Sequence, residues 1–174
     1  PALRPAAAYR WNDSAVTELS YTFARPDYKV TLLAPQFERD GKIHAFGVNH
    51  LIHRGNSPWT VSLGYARTEN RPEGADFQST GDTLSAAVRY EFRANTHLTF
   101  SASGGRDRYA NPNSLTGSAF ARSDSPFGIS AQFSAPLGER LRYFLQLQSS
   151  RSNSNVTFYD YRQQSVVAGV GAEF

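Results

Sequence analysis

The sequence predicts an all-β chain: an antiparallel, up-and-down transmembrane β-barrel of about ten strands. Three observations carry this. Period-two alternation of apolar and polar residues recurs along the chain, while helix-period patterns are nearly absent. The links between strands alternate between short and long, as the two ends of a membrane barrel require. The polar face holds Ser, Thr, Gly and Gln with isolated Arg and Glu, unlike a water-exposed sheet face, which is normally rich in Lys and Glu. Mean hydropathy is −0.49, and no stretch approaches the roughly 18 apolar residues of a membrane helix. A barrel reconciles these facts, because only alternate residues meet lipid.

A faint first strand is expected near Ala6–Trp11. Leu19, Tyr21 and Phe23 then oppose Glu18, Ser20 and Thr22. Residues 28–34 and 43–52 alternate less cleanly, with His44 and His50 sharing a face with Phe46, Val48 and Ile52. Trp59, Val61, Leu63 and Tyr65 oppose Thr60, Ser62 and Gly64. In 84–92, Leu84, Ala86, Val88, Tyr90 and Phe92 oppose Ser85, Ala87, Arg89 and Glu91. Leu98, Phe100 and Ala102 follow. Then come Phe127 to Leu137 and Leu141 to Leu147, both on odd numbers. The last strand sets Val166, Ala168, Val170, Ala172 and Phe174 against Ser165, Val167, Gly169, Gly171 and Glu173. Losing one hairpin would leave eight strands.

Short turns are expected at Arg25–Asp27, Arg54–Ser57, Arg93–Asn95 and Gly138–Arg140. Links at 12–14 and 37–42 are intermediate. Polar loops at 70–81, 110–123 and 152–164 are expected outside the cell, with the short turns facing the periplasm. Ten strands, an even number, would put both termini on the periplasmic side. The whole of 1–174 reads as a single barrel domain. Aromatics near strand ends, namely Trp11, Trp59, Tyr90, Phe92 and Tyr143, are the expected membrane-interface girdle.

Composition excludes several classes. The absence of Cys rules out disulfides, thiolate zinc sites and Cys nucleophiles, and suits passage through an oxidising periplasm. Net charge is +3 and spread along the chain, so no basic stripe points to nucleic acid. Beginning at Pro1 without a signal peptide, the chain reads as a mature form, a processed fragment or an excised domain.

The terminal strand Ser165-Val-Val-Ala-Gly-Val-Gly-Ala-Glu-Phe174 resembles the signal that the barrel-assembly machinery reads in outer-membrane proteins of Gram-negative cells. That resemblance implies an outer-membrane location and makes Phe174 the assembly signal and true C-terminus. The hairpin before it runs through Ser-Asn-Ser-Asn and Tyr159-Asp-Tyr-Arg162 to the final strand. Over residues 147–174 it is similar to the closing hairpin of barrels fused to periplasmic tetratricopeptide repeats, such as surface-lipoprotein assembly modifiers and exopolysaccharide-secretion porins. That likeness implies the C-terminal part of a larger barrel of about 14 to 16 strands. The chain departs from that architecture in having no helical repeat.

No catalytic constellation assembles, and no enzyme is expected. Ser149-Ser-Arg-Ser-Asn153 resembles a lipid A deacylase segment only loosely and lacks a His in place. Asp76, Asp82, Asp107 and Asp124 flank the long loops without a nearby His. His50 and His53 are three apart, which in a strand puts them on opposite faces, so they do not form a metal pair. Gly104–Gly105 reads as close packing, since no helix follows to bind phosphate. No metal or cofactor is expected.

Glu18, Arg89, Glu91, Arg142 and Glu173 project to the polar face and are the expected lumen charges. In a narrow barrel they would pair and plug it; in a wide one they would line a wetted pore. The expected function is therefore a channel or export pore across the outer membrane. The alternative is a closed barrel acting as anchor, adhesion surface or envelope-complex subunit. Expected partners are outer-membrane lipid and lipopolysaccharide, the barrel-assembly machinery, and a periplasmic repeat domain or another envelope subunit.

Overall fold

Side chains that alternate in polarity favour extended backbone, since an extended chain sends neighbouring side chains to opposite faces. The computed structural model describes residues 2–27, 35–93, 95–138 and 140–172. They form one antiparallel sheet of ten strands and no α-helix among the described residues. The strands are β1 (Ala2–Leu3), β2 (Ala6–Asn12), β3 (Ala15–Ala24), β4 (Gly41–His53), β5 (Trp59–Pro72), β6 (Ser79–Arg93), β7 (Thr96–Pro112), β8 (Ala121–Pro136), β9 (Leu141–Ser154) and β10 (Tyr161–Ala172).

From β3 to β10 each strand pairs with the next. β1 and β2 both lie on the free edge of β3, at Phe23–Ala24 and at Ala15–Ser20 respectively. They are separated at Arg4 and Pro5, where proline has no N–H for a ladder. Tyr21 N–H closes the gap on the Pro5 carbonyl at 3.0 Å. The sheet is therefore nine strands wide. Its two edges, β1–β2 and β10, do not pair with each other, so the sheet is not closed.

The number ten is met, but not by the expected strands. The expected strand at 28–34 lies outside the described residues, and the two-residue β1 takes its place in the count. Arg25–Asp27 is no hairpin turn. β3 pairs with β4 up to Ala24↔Ile43, and the link between them spans 25–40, of which 28–34 lie outside the described residues. That link shares an end of the sheet with 73–78, 113–120 and 155–160. The tight links at 13–14, 54–58, 94–95 and 137–140 share the other. With nine lanes, the described chain starts at the long-link end and finishes at the short-link end, so the two termini are at opposite ends. Gly138 (φ 83°) and Asn95 (φ 66°) supply the left-handed backbone that two of the tight links need.

The long links are tied together. The Asp76 carboxylate, 4% exposed, accepts from Ser114 N–H at 3.0 Å and Ser114 O–H at 2.6 Å, joining the 73–78 link to the 113–120 link. The Asn155 amide donates to the Ala121 carbonyl at 2.9 Å, and its oxygen accepts from Ser123 N–H at 2.7 Å.

The two faces of the sheet are sorted by polarity. One carries Leu19, Val48, Leu63, Val88, Phe100, Ile129, Leu147 and Val166. The other carries Ser20, Gly64, Ser85, Ser101, Ser130, Gln148 and Ser165. Their burial is the reverse of a water-soluble sheet. In β5, β7 and β9 the polar-face residues are mostly half-buried, while Leu63, Phe100, Leu145 and Leu147 on the apolar face are exposed. Only Ala135 and Val156 are buried hydrophobics among the described residues. Accessible surface is 11961 Å², against about 8,500 Å² for a compact monomer of this mass.

Candidate functional site

From β6 to β10 the polar face collects its charges at its two ends. At the short-link end, Arg89 and Glu91 on β6 face His97 on β7. The Arg89 guanidinium lies 4.0 Å from the Glu91 carboxylate and 3.2 Å from His97 Nδ1. Arg142 on β9 donates to the Asn95 carbonyl at 2.7 Å and to Ser134 Oγ at 3.2 Å. Three of the five expected lumen charges thus gather in one cluster. Glu18 is on the same face but several strands away, beside Asn49. Glu173 and Phe174 lie outside the described residues.

The middle of the polar face is lined by small or uncharged groups. The row Ala87, Ser101, Ser130, Gln148 and Ser165 crosses β6 to β10 without a charge. Ser101 and Ser130 share a hydrogen bond at 2.7 Å.

At the long-link end stands a second cluster, which periodicity did not single out. Asp107 and Asp124 are direct cross-strand partners on the polar face. Arg122 forks onto Asp124, with Nε at 2.8 Å from Oδ2, and Asp124 is 5% exposed. The Arg122 guanidinium is held between the rings of Tyr109 (4.2 Å) and Tyr159 (3.5 Å), a cation–π sandwich. This cluster sits beyond the apolar band. There, burial and then the neighbouring Asp124 charge push the Asp107 carboxyl up, and burial pushes the Tyr109 hydroxyl up. The signal for it was non-local: Asp107 and Asp124 flank one long loop in sequence, but only the strand register places them opposite each other.

On the apolar face, the five expected interface aromatics all lie toward the short-link end. Trp59 packs on Tyr90 at 4.5 Å and Tyr90 on Phe92 at 4.8 Å, while Tyr143 meets Phe133 at 5.8 Å. Trp11 packs on Tyr9 at 4.8 Å, and its Nε1–H donates to Thr17 Oγ1 at 2.8 Å. Toward the other end, Tyr21, Phe46, Tyr65 and Phe127 edge the same band. His44 bonds to the Tyr21 hydroxyl at 2.6 Å and His50 to Thr17 Oγ1 at 2.8 Å, both on this face. His53 bonds to Thr60 Oγ1 at 3.0 Å on the opposite face. Gly105 is a place of close approach: a Cβ there would sit 2.5 Å from the Asp82 carbonyl oxygen.

No protein-family model matches the chain, and neither a curated protein nor a solved structure matches it significantly.

Proposed function

We propose that this sheet is the wall of a β-barrel in the outer membrane of a Gram-negative-type cell, and that the barrel is a channel or export pore. One observation carries the reading: the apolar face is the exposed one and the polar face the sheltered one. In water the exposed Leu, Ile, Val and Phe would cost about 25 cal/mol for each Å² left wet. Hydrocarbon removes that cost, and the sheltered polar face then borders a lumen.

The dimensions agree. Apolar residues on β8 run from Phe127 to Ala135, about 27 Å along a strand and about 20 Å of depth at a barrel's tilt. β6, β7 and β8 have 15, 17 and 16 residues, more than the 9–11 or so that cross a bilayer. They therefore reach past it on the long-link side, which in this reading faces outward while the short links face the periplasm.

Closure is required, because an open ladder in hydrocarbon costs several kcal/mol for each unpaired group. β2 and β10 would pair with each other, or with further strands if the likeness of the closing hairpin to larger export barrels holds. The uncharged middle row favours a passage over a salt-bridged plug. Planar-bilayer recording tests this: discrete conductance steps are expected. A folded, inserted protein that never conducts would overturn the channel and leave a closed anchor barrel.

A further inference from the structure

Beyond the apolar band at the long-link end, the same face turns cationic. Arg67, Arg106, Arg108, Arg151 and Arg162 all stand on it and are exposed. Asp82 is the carboxylate that answers two of them, Arg67 and Arg108, each at 3.3 Å. A hydrogen bond from the Tyr65 hydroxyl, and then these arginines against some desolvation, hold its carboxyl below the usual range. Asp82 is thus fully engaged.

Arg106 stands directly across the ladder from Asp82 without a salt bridge to it, and Arg151 and Arg162 face no carboxylate across the ladder among the described residues. Arg151 and Arg162 are direct cross-strand partners on one face, so their charges stand about 5 Å apart at Cβ. Like charges placed opposite each other destabilise a sheet unless an anion bridges them. Arg106 lies two strands from Arg151 and one row farther out, about 12 Å away. It reaches only Ser123 Oγ, at 3.4 Å, and Arg151 leans over the Phe127 ring at 5.5 Å.

We propose that Arg106, Arg151 and Arg162 bind the phosphomonoester of a phosphorylated glycolipid headgroup in the leaflet at the long-link end. This rests on the membrane reading above. Arginine forks match phosphate oxygens bidentately. Phe127, directly across from Arg151, and Leu147, two same-face rows farther in, would meet the acyl chains of the lipid whose headgroup the arginines hold. A phosphomonoester carries close to two negative charges and can bridge the Arg151–Arg162 pair, which a single-charged phosphodiester does less well.

The test uses the whole chain in phosphatidylcholine vesicles doped with bisphosphorylated lipid A, with the same lipid A dephosphorylated, or with phosphatidylglycerol. Lipid retained on the protein is read by native mass spectrometry. Retention of the bisphosphorylated form should exceed both others by about tenfold. The R151Q/R162Q double variant should lose that preference, and R54Q at the short-link end should keep it. Equal retention of the three lipids, or an unchanged preference in the double variant, would overturn the proposal. Protease protection in undoped vesicles separates the two levels. Failure of the wild type to insert sinks the membrane reading and the headgroup site together, whereas insertion without phosphate preference sinks the site alone.

Discussion

The ring of Phe144 covers Gly169 on the polar face of the last hairpin. A Cβ at position 169 would come within 2.6 Å of ring atoms Cε1 and Cζ. The absent side chain is what lets the aromatic ring lie flat across the β9–β10 ladder. Gly169→Val should therefore force the ring off its site and destabilise the protein by about 1–3 kcal/mol. Urea titration checks it. Combining G169V with Phe144→Ala should restore part of the loss, since the two side chains then no longer compete.

Arg122 is the clamp of the cluster at the long-link end. It holds the nearly buried Asp124 and lies between Tyr109 and Tyr159, so it fastens the 155–160 link to β8. Arg122→Ala leaves Asp124 buried and unpaired, at a cost of about 3 kcal/mol. The expected readout is faster proteolysis at 155–160, with the short-link end unaffected. Arg122→Lys should rescue little, because lysine cannot fork onto Asp124 while stacked between two rings.

Asp107 gives a pH dependence of known sign. Burial, then the charge of Asp124, raises its carboxyl above the ordinary 3.8 of an aspartate. An acid with a raised folded pKa favours the folded state when protonated. Its contribution to stability is therefore largest at low pH and falls as pH rises from near 3.8 through the raised value. Asp107→Asn should remove that component of the slope and leave the protein more stable than wild type at neutral pH. Thermal unfolding across the acid range measures it, and a slope unchanged by the substitution would contradict the assignment.

At the short-link end, Arg89 and Arg142 each bring a positive charge to the polar face, and Glu91 brings a negative one. Replacing both with Gln should shift the reversal potential in a salt gradient toward cation selectivity. Glu91→Gln should shift it the other way.

Strand positions were readable because each strand presents one face to each environment, so alternation survives in short windows such as 84–92 and 141–149. What was not readable depended on pairing. Arg25-Pro-Asp27 has the residues of a turn, yet β3 pairs onward with β4, up to Ala24↔Ile43. Ala2–Leu3 is too short to have a period. Among the candidate charges, Arg89, Glu91 and Arg142 fell on the expected face because parity decides the face. The Asp107–Asp124 pairing and the opposed Arg151 and Arg162 needed the register of neighbouring strands, which distant segments fix jointly.

The central claim is that lipid covers the apolar face. The chain has no Cys, so single-Cys variants carry one label each. Spin labels placed one at a time along β5, β8 and β9 and reconstituted in lipid vesicles report accessibility to oxygen, which concentrates in hydrocarbon, and to a water-soluble nickel chelate. Labels at Leu63, Ile129 and Leu147 should favour oxygen, and labels at Ser62, Ser130 and Gln148 should favour the chelate, with a period of two residues. Equal access of the chelate to both faces, or protection of the polar face in place of the apolar one, would contradict it.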